Sequence, residues 1–483
     1  MRNKLGQFGL IIAGIVIGVA ISLNFSAVAQ RENATRAQLP LPIEELRAFT
    51  EVFGRVKADY VEPVEDKKLI NEAINGMLTG LDPHSAYLDQ EAFKEMQVGT
   101  QGEFGGLGIE VGMEDGFVKV ISPIDDTPAS RAGVMAGDLI VKLDDQAVKG
   151  MTLNDAVKQM RGKPNTPIRL TIVRKGEPNP LELTLTRAVI KIQSVKATTL
   201  EPGYAYFRVT QFQEGTGELL ANAIATHVKG PMKGIILDLR NDPGGLLNSA
   251  VAVTATFIEQ GKLVVYTDGR AEDSKMRLNA SPEHYLRGRN REDYLRKLPA
   301  EIRKLPMVVL VNGGSASASE IVAGALQDYE RAVIMGQQTF GKGSVQTILP
   351  LGNNTAIKLT TARYYTPKGR SIQAKGITPD IPLESAIDKN ASLRLREADL
   401  SKHLDDGKPA VAPTPETKDS KDVEKEKAIA TARAKYNFTP EARPEIDPKE
   451  LRPEPGQVVS KKDYELNQAI AFLKSRGATA GAD

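Results

Sequence analysis

The chain has 483 residues, a net charge of only +2, and neither cysteine nor tryptophan. The length predicts two or three domains, and the balanced charge gives no electrostatic argument for binding nucleic acid or another polyanion. The lack of cysteine excludes disulfides, thiol catalysis and thiolate metal sites.

The N-terminus has the pattern of an export signal. Arg2 and Lys4 precede an apolar stretch from Phe8 to about Leu23, and an A-x-A pattern follows in SAVAQ. The apolar stretch is only slightly too short for a membrane-spanning helix, so a cleaved signal peptide and a retained anchor both stay open. We expect the rest of the chain in the periplasm, free or anchored to the periplasmic face of the inner membrane.

The predicted elements then change in type along the chain. Residues 43–97 show helical spacing, and short strands with glycine turns follow to about residue 185. From about residue 204 the pattern alternates between strand, turn and helix. Such alternation predicts a largely parallel sheet whose loops gather at the carboxyl ends of the strands.

We therefore predict a multidomain α/β protein. Its segments are a signal peptide or anchor (1–30), an N-terminal helical segment (31–97), an inserted β-rich domain (98–186), an α/β core (187–404), a disordered mixed-charge linker (405–456) and a C-terminal helix (457–483). Leu466, Ile470 and Leu473 give the last helix an apolar stripe, which favours self-association, and hence a homo-oligomer, over a solvated tail.

Three serines alternate with small residues in VNGGSASASE, residues 311–320, directly after a predicted strand. Ser317 begins a predicted helix and Glu320 follows three residues later, so a capping box is the simplest alternative to a catalytic role. Small neighbours leave the Ser317 hydroxyl open. The Ala318 amide stands at a helix N-terminus, where negative charge is stabilised. The stretch indicates a nucleophile beside one oxyanion donor.

Lys342 lies between glycines in GQQTFGKGSVQ. The stretch contains part of a Walker A loop, but Gly343 follows the lysine and SVQTILPL alternates like a strand, which argues against nucleotide binding. A lysine that acts as a base has to lose its proton, so its pKa must fall from about 10.4 to about 7. Burial can supply this shift because it disfavours the ammonium form.

The four histidines give no clear alternative base. His84 lies in a DPHS turn, His227 in a predicted helix, His284 in a charged insert over 268–304, and His403 beside the linker. None of them ends a core strand, so we expect surface residues rather than a Ser-His-Asp triad. Their spacing supports no metal site, and no cofactor is predicted.

At these residues the chain resembles a known family. GSASASEIVAGALQD, followed by TFGKGSVQ, is similar to the carboxyl-terminal processing peptidases, also called tail-specific proteases, which are serine peptidases with a Ser/Lys dyad. The separation of 25 residues between Ser317 and Lys342 fits their pattern. LDLRNDPGG, RYYTPKGRSIQAKGITPDI and DPHSAYLD resemble further family motifs, and the resemblance covers about residues 45–385.

The resemblance implies that Ser317 is the nucleophile, that Lys342 is the general base and that Gln346 positions the lysine. An uncharged amide can orient the amine without stabilising the ammonium form as a carboxylate would. Three further positions match the family in supporting roles: Glu320, Asp328 and Thr339.

The implied oxyanion hole combines the Ala318 amide with one amide of the Gly244-Gly245 turn, and the choice of glycine stays open. The expected core is of the crotonase/Clp protease type. The predicted activity is that of an exported serine endopeptidase that cleaves proteins from or near their C-terminal tails. The alternatives are a catalytically silent PDZ scaffold on the same fold and a gated peptidase that depends on an envelope adaptor protein.

The β-rich segment resembles a PDZ domain. Its carboxylate-binding loop would consist of Gly106, Leu107, Gly108 and Ile109. Backbone amides of such a loop hold the free C-terminus of a peptide that extends a strand, although a PDZ-like fold that binds no peptide is also open. Arg174 ends the strand PIRLTIVR, either as a solvated arginine or as a sensor of the bound tail.

The insert over 268–304 is longer than the family pattern leads us to expect. It is rich in Arg, Glu and Asp, and its large apolar or aromatic residues include Tyr285, Leu286, Tyr294 and Leu295. We predict either a lid or a docking surface.

Overall fold

The computed structural model describes residues 41–124, 127–135, 137–191, 193–287, 292–384, 395–406, 430–431, 434–442, 444 and 457–479. It divides the chain into two compact units, residues 1–73 and 74–483. The predicted export signal and most of the predicted linker lie outside the described residues. Within the described ranges, no helix is both long and apolar enough to cross a membrane.

The described elements follow the predicted order of helices, short strands, an alternating core and a final helix. The helices are α1 (Ile43–Asp59), α2 (Asp66–Thr79), α3 (Gln90–Gln101), α4 (Pro128–Arg131), α5 (Leu153–Met160), α6 (Thr216–His227), α7 (Leu247–Phe257), α8 (Pro282–Tyr285), α9 (Ala318–Asp328) and α10 (Tyr464–Thr479). The strands up to the core are β1 (Ala86–Leu88), β2 (Glu103–Gly106), β3 (Ile109–Glu114), β4 (Phe117–Pro123), β5 (Leu139–Leu143), β6 (Gln146–Ala147), β7 (Pro167–Val173), β8 (Leu181–Thr186) and β9 (Ala188–Lys191). Those of the core are β10 (Val195–Glu201), β11 (Tyr204–Val209), β12 (Gly234–Asp238), β13 (Leu263–Gly269), β14 (Arg277–Asn279), β15 (Met307–Val311), β16 (Val333–Gly336), β17 (Ser344–Pro350), β18 (Ala356–Tyr365) and β19 (Ile381–Pro382). The multidomain α/β class predicted from the sequence is confirmed.

One part of the N-terminal segment is not helical. Strand β1 pairs antiparallel with β18, so that Ala86 stands opposite Lys358. The prediction of helices through residue 97 is wrong here, because a strand of three residues is too short to show a period of two.

The inserted domain is built on the antiparallel sheet β3-β4-β5-β7-β8, in which β3 is an edge strand. Val118, Ile140 and Leu170 belong to its buried core. The amphipathic helix α5 begins after Thr152, whose hydroxyl accepts a hydrogen bond from the Asp155 N–H and caps the helix.

The main sheet of the core has the order β10-β11-β12-β15-β16-β19 and is parallel from β11 onward. Every residue of β12 and β15 is buried, because apolar clusters cover both faces of the sheet. A second sheet, β1-β18-β13-β14 with β17 on β18, completes the core.

The C-terminal helix packs within its own chain. Leu466 and Leu473 are buried against the second face of the main sheet, with Ile470 partly buried beside them. Arg240, in the turn after β12, donates a hydrogen bond to Glu465 of this helix. The prediction that the stripe serves self-association is therefore wrong, since the sheet of the same chain already covers it.

A short described part of the predicted linker is packed. The rings of Tyr436 and Phe438 meet Phe472 of α10 edge-on, with centroids 6.0 and 5.3 Å apart. Residues 434–442 thus differ from the disordered linker predicted over 405–456.

The apolar residues of the long insert belong to the core. Tyr285 and Leu295 are buried, and Leu286 and Tyr294 pack against the same cluster. The Tyr285 hydroxyl donates a hydrogen bond to the Asp293 carboxylate at 2.8 Å. These four side chains anchor the insert and do not form an exposed docking surface.

Candidate active site

Three turns meet at one edge of the main sheet. Strands β12, β15 and β16 are parallel neighbours, so their carboxyl ends lie side by side. The first is followed by the Gly244-Gly245 turn, the second by Ser317 and the third by Lys342. The sheet topology therefore brings together the residues that the sequence singled out.

The three serines of the second turn have different surroundings. The Ser315 hydroxyl is buried and donates to the Leu239 carbonyl oxygen at 2.7 Å. The Ser319 hydroxyl is also buried and donates to the Asp242 carbonyl oxygen at 3.0 Å. Ser317 is partly exposed. The two outer serines hold the turn to the segment after β12, while the middle one keeps some exposure to solvent.

Ser317 has an unusual backbone conformation, with φ of 54° and ψ of −111°. Positive φ is rare for a residue with a Cβ and costs on the order of 1–3 kcal/mol. Such strain recurs where a sharp turn presents a nucleophile at the start of a helix.

Glu320 connects the backbone of Ser317 to that of Lys342. Its Oε2 accepts the Ser317 N–H at 2.8 Å and the Lys342 N–H at 2.9 Å. Its Oε1 accepts the Gly341 N–H at 2.7 Å and the hydroxyl of Thr339. Burial raises the pKa of Glu320 to about 7, although these hydrogen bonds oppose the shift.

Lys342 is partly buried. Burial lowers the pKa of its amine below the ordinary value, and the Lys358 ammonium acts in the same direction. The carboxylates of Glu397, Glu320 and Asp82 act against that shift. The environment therefore moves the lysine toward the neutral form that a base requires.

Tyr364 is a site residue that the sequence analysis did not single out. Its buried hydroxyl donates to the Lys342 carbonyl oxygen, and the Ser317 side chain lies close enough to the phenol to influence its pKa. Burial raises the pKa of this phenol well above its ordinary value, so it remains protonated. The residue lies in the family motif RYYTPKGRSIQ, and this motif is the one feature of the sequence that points to it.

The Gly244-Gly245 turn lies against the start of α9. The Gly244 N–H donates to Asp242 Oδ1 at 2.8 Å. Among the described residues, the N–H groups of Gly245 and Ala318 donate to no acceptor. The two glycines therefore differ: one amide is already used within the turn, and the other is available.

Gln346 lies on β17. Its amide donates to the Ser344 hydroxyl at 3.1 Å and to the Thr360 hydroxyl at 3.2 Å. Thr360 in turn donates to Asp82, one of the carboxylates near the lysine. Among the described residues, Gln346 forms no hydrogen bond with the Lys342 amine. The predicted role of Gln346 in positioning the lysine therefore stays a prediction.

The other two supporting residues lie in different places. Thr339 contacts Glu320 and also accepts the Ile377 N–H at 2.7 Å, inside the site. Asp328 ends α9, about 16 Å along the helix from Ser317. It binds the Lys368 N–H and the Arg370 guanidinium, so it fastens the loop after β18 rather than the site itself.

The prediction that all four histidines lie at the surface is wrong for His84. Its Nε2 lies 2.8 Å from Oε2 of Glu397, whose side chain is fully buried. The reason is distance in sequence: Glu397 follows His84 by 313 positions. In the described parts of the chain, no cluster of His, Asp and Glu is arranged to hold a metal ion.

The carboxylate loop of the PDZ-like domain joins β2 to the edge strand β3. Leu107 is buried, and its carbonyl oxygen accepts the Ala129 N–H at 3.0 Å. Gly108 has φ of 78°, and a Cβ there would lie 2.3 Å from Thr127. The loop is therefore held in one conformation beside a strand edge that a peptide could extend.

Arg174 is not a solvated arginine. Its Nε and one terminal nitrogen each lie 2.8 Å from the buried Asp138 carboxylate. The same terminal nitrogen donates to the Gly133 carbonyl oxygen at 2.8 Å. The pair holds the end of β7 to the segment before β5, and a role as tail sensor stays a prediction.

Comparison with known proteins agrees with these features. The model of Peptidase family S41 matches residues 203–383, that of the PDZ domain matches 105–185, and that of the activating protease CtpB N-terminal domain matches 16–92. The carboxy-terminal-processing protease of Bartonella bacilliformis is 48% identical and covers 80% of this chain and 87% of its own. The carboxy-terminal processing protease CtpA of Bacillus subtilis is 33% identical and covers 80% of this chain and 78% of its own.

Solved structures include a photosystem II D1 C-terminal processing protease, 30% identical, which covers 70% of this chain and 93% of its own with a TM-score of 0.40. The 48% sequence identity with the Bartonella protein, over most of both chains, shows which family this chain belongs to. The protein belongs to peptidase family S41, among the carboxy-terminal processing proteases, and is a serine peptidase.

Proposed function

We propose that the protein is an exported serine endopeptidase that cleaves protein substrates from or near their C-terminal tails. Ser317 is the nucleophile and Lys342 is the general base. The observation that carries the proposal is the single Glu320 oxygen that accepts the N–H groups of both residues. A buried acceptor shared in this way fixes the position of one residue relative to the other.

Acylation begins when the neutral Lys342 amine takes the proton of the Ser317 hydroxyl while Oγ attacks the scissile carbonyl carbon. The carbonyl oxygen becomes an oxyanion, which the free N–H groups of Ala318 and Gly245 stabilise. The ammonium then donates its proton to the nitrogen of the leaving amine, and the C–N bond breaks. The product is an ester between the substrate and Ser317.

Deacylation repeats these steps with water. The amine takes a proton from water, the oxygen attacks the ester carbonyl, and the ammonium returns a proton to Ser317 Oγ. The Tyr364 hydroxyl lies beside both the Lys342 carbonyl oxygen and the Ser317 side chain, so it helps to keep the two residues in a fixed relative position.

We propose that the PDZ domain selects substrates with a free C-terminus. Amides of residues 106–109 would hold the terminal carboxylate while the tail pairs with the edge strand β3. Export is proposed from the charged and apolar N-terminal pattern, which places the enzyme in the periplasm or on the periplasmic face of the membrane.

Cleavage of a tailed protein substrate, measured with Lys342→Arg and Lys342→Ala, tests the dyad. Arginine keeps its proton at any usable pH, so both variants should be inactive. The rate of the wild type should rise with pH along the titration of one amine. Turnover in the arginine variant would rule out lysine as the base, and no turnover in the wild type under any condition would favour a silent scaffold.

A further inference from the structure

The pair formed by His84 and Glu397 packs against the loop that carries Lys342. Nε2 of the imidazole lies 2.8 Å from Oε2 of the carboxylate. The Glu397 side chain is fully buried, and the His84 side chain is 16% exposed. The proposed mechanism uses neither residue.

A buried glutamine links this pair to the loop. Oε1 of Glu397 accepts a hydrogen bond from the Gln373 amide at 2.9 Å, and Oε1 of Gln373 accepts one from the Gly343 N–H at 2.9 Å. The Glu397 N–H also donates to the Phe340 carbonyl oxygen at 3.1 Å. Phe340 and Gly343 flank Lys342, so Glu397 holds the loop on both sides of the lysine.

The charges that act on the lysine amine come from four residues far apart in the chain. Glu397, Glu320 and Asp82 contribute negative charge, and Lys358 of β18 contributes positive charge. Both Glu320 and Asp82 are bound by backbone N–H groups and by hydroxyls. Within the described residues, Glu397 is the one of these carboxylates that pairs with a histidine.

We propose that His84 and Glu397 form a positioning pair for the general base, an inference that rests on the proposed Ser/Lys mechanism. The pair holds the lysine loop through Gln373, and the imidazole limits the negative charge that the buried carboxylate directs at the Lys342 amine. A base has to be neutral. An unpaired carboxylate beside it would favour the ammonium form and slow the reaction.

The test compares kcat/KM against pH, from about pH 6 to about pH 10, in the full-length protein. Glu397→Gln removes one negative charge and keeps an acceptor for Gln373. The rising limb of the plot of kcat/KM against pH should move to lower pH by about half a unit to one unit. As a result, kcat/KM at pH 7 should rise about 3- to 10-fold. His84→Ala leaves the carboxylate unpaired and should move the limb to higher pH.

Two further variants separate geometry from charge. Gln373→Ala breaks the link to the loop without changing any charge, so kcat should fall while the limb stays in place. His84→Gln keeps an N–H donor for the carboxylate and should restore most of the kcat that His84→Ala loses. As a matched control, His227→Ala on α6 should leave both kcat and the pH profile unchanged, because its side chain contacts Thr199 and not the pair.

Shifts of opposite sign in Glu397→Gln and His84→Ala support the proposal. Unchanged profiles, or shifts of the same sign, overturn it. If a thermal scan shows that one of these two variants does not fold, the direction of the pH shift in the other variant and the kcat of Gln373→Ala still test the proposal. Lys342→Ala in the same assay distinguishes failure of the proposed dyad from failure of this inference. Activity in Lys342→Ala would contradict the dyad itself. An inactive Lys342→Ala, together with unchanged His84 and Glu397 variants, would contradict only the role of the pair.

Discussion

Gly244 lies so close to Ala318 that a Cβ on the glycine would be 2.8 Å from the Ala318 backbone nitrogen. Cβ atoms in proteins essentially never come within 3.0 Å of another heavy atom in this way. The glycine turn after β12 and the start of α9 are therefore packed backbone against backbone. The two free amides, those of Gly245 and Ala318, therefore belong to two segments whose backbones are in direct contact.

Gly244→Ala should therefore remove most of the activity. The added methyl group displaces the Ala318 amide from the oxyanion position, and loss of one donor costs about 10²- to 10³-fold in kcat. The rate of cleavage of a short peptide measures the loss. Gly230→Ala is the matched control, since Gly230 also has positive φ, of 71°, but nothing within 4 Å of a Cβ. Equal losses in the two variants would show that backbone strain, and not the oxyanion hole, is responsible.

Glu320→Gln should lower kcat strongly and have a smaller effect on the melting temperature. All four groups that bind this carboxylate are donors, so an amide nitrogen in its place would face donors and push the Ser317 and Lys342 loops apart. We expect kcat to fall more than about 10-fold. Asp328→Asn, at the other end of the same helix, should lower the melting temperature and keep kcat. A fully active Glu320→Gln would contradict the role given to this carboxylate.

Asp242 should make stability depend on pH. Burial raises its pKa from 3.8 to about 7, against the hydrogen bond from Gly244. Between these two values the folded state holds a proton that the unfolded state has lost, so the free energy of unfolding falls as pH rises through this window. Asp242→Asn should flatten that slope in urea unfolding from about pH 4 to about pH 7. Identical slopes in the variant and the wild type would contradict the raised pKa.

Arg174→Ala should weaken cleavage of tailed proteins more than cleavage of short generic peptides. The arginine holds the Gly133 carbonyl oxygen just after α4, and the Ala129 N–H of α4 holds the carbonyl oxygen of Leu107 in the carboxylate loop. Amidating the substrate C-terminus should reproduce the loss in the wild type and add little in the variant. Arg169→Ala is the control, since Arg169 lies on β7, the strand that precedes Arg174, and pairs with an exposed Asp145. Equal losses for all substrates would leave Arg174 a structural residue only.

The sequence predicted which turns meet at the edge of the main sheet, because local chemistry marks them. Ser317 and Lys342 lie in glycine-rich turns after apolar strands, and parallel strands bring such turns to one edge. The contacts that complete the site come from residues far apart in the chain. Nothing near Tyr364 shows that its hydroxyl reaches both loops, and nothing near His84 shows that Glu397 is its partner.

The same limit explains the errors in the fold. The apolar stripe of α10 does not reveal which surface covers it, and a sheet of the same chain and another subunit give the same pattern. Strand β1 is recognised by its pairing with β18 and not by its own three residues. Arg174 was expected either in solvent or at a ligand, because the sequence gives no sign that Asp138, 36 positions earlier, forms its ion pair.

The proposed dyad is tested most directly by mapping the adduct of a fluorophosphonate probe on the intact protein. We predict one adduct, on Ser317, with labelling retained in Ser315→Ala and Ser319→Ala and lost in Ser317→Ala and Lys342→Ala. The two outer serines bind carbonyl oxygens, so their replacement should lower stability by about 1–3 kcal/mol without removing the nucleophile. An adduct on Ser315 or Ser319, or undiminished labelling of Ser317 in Lys342→Ala, would contradict the account.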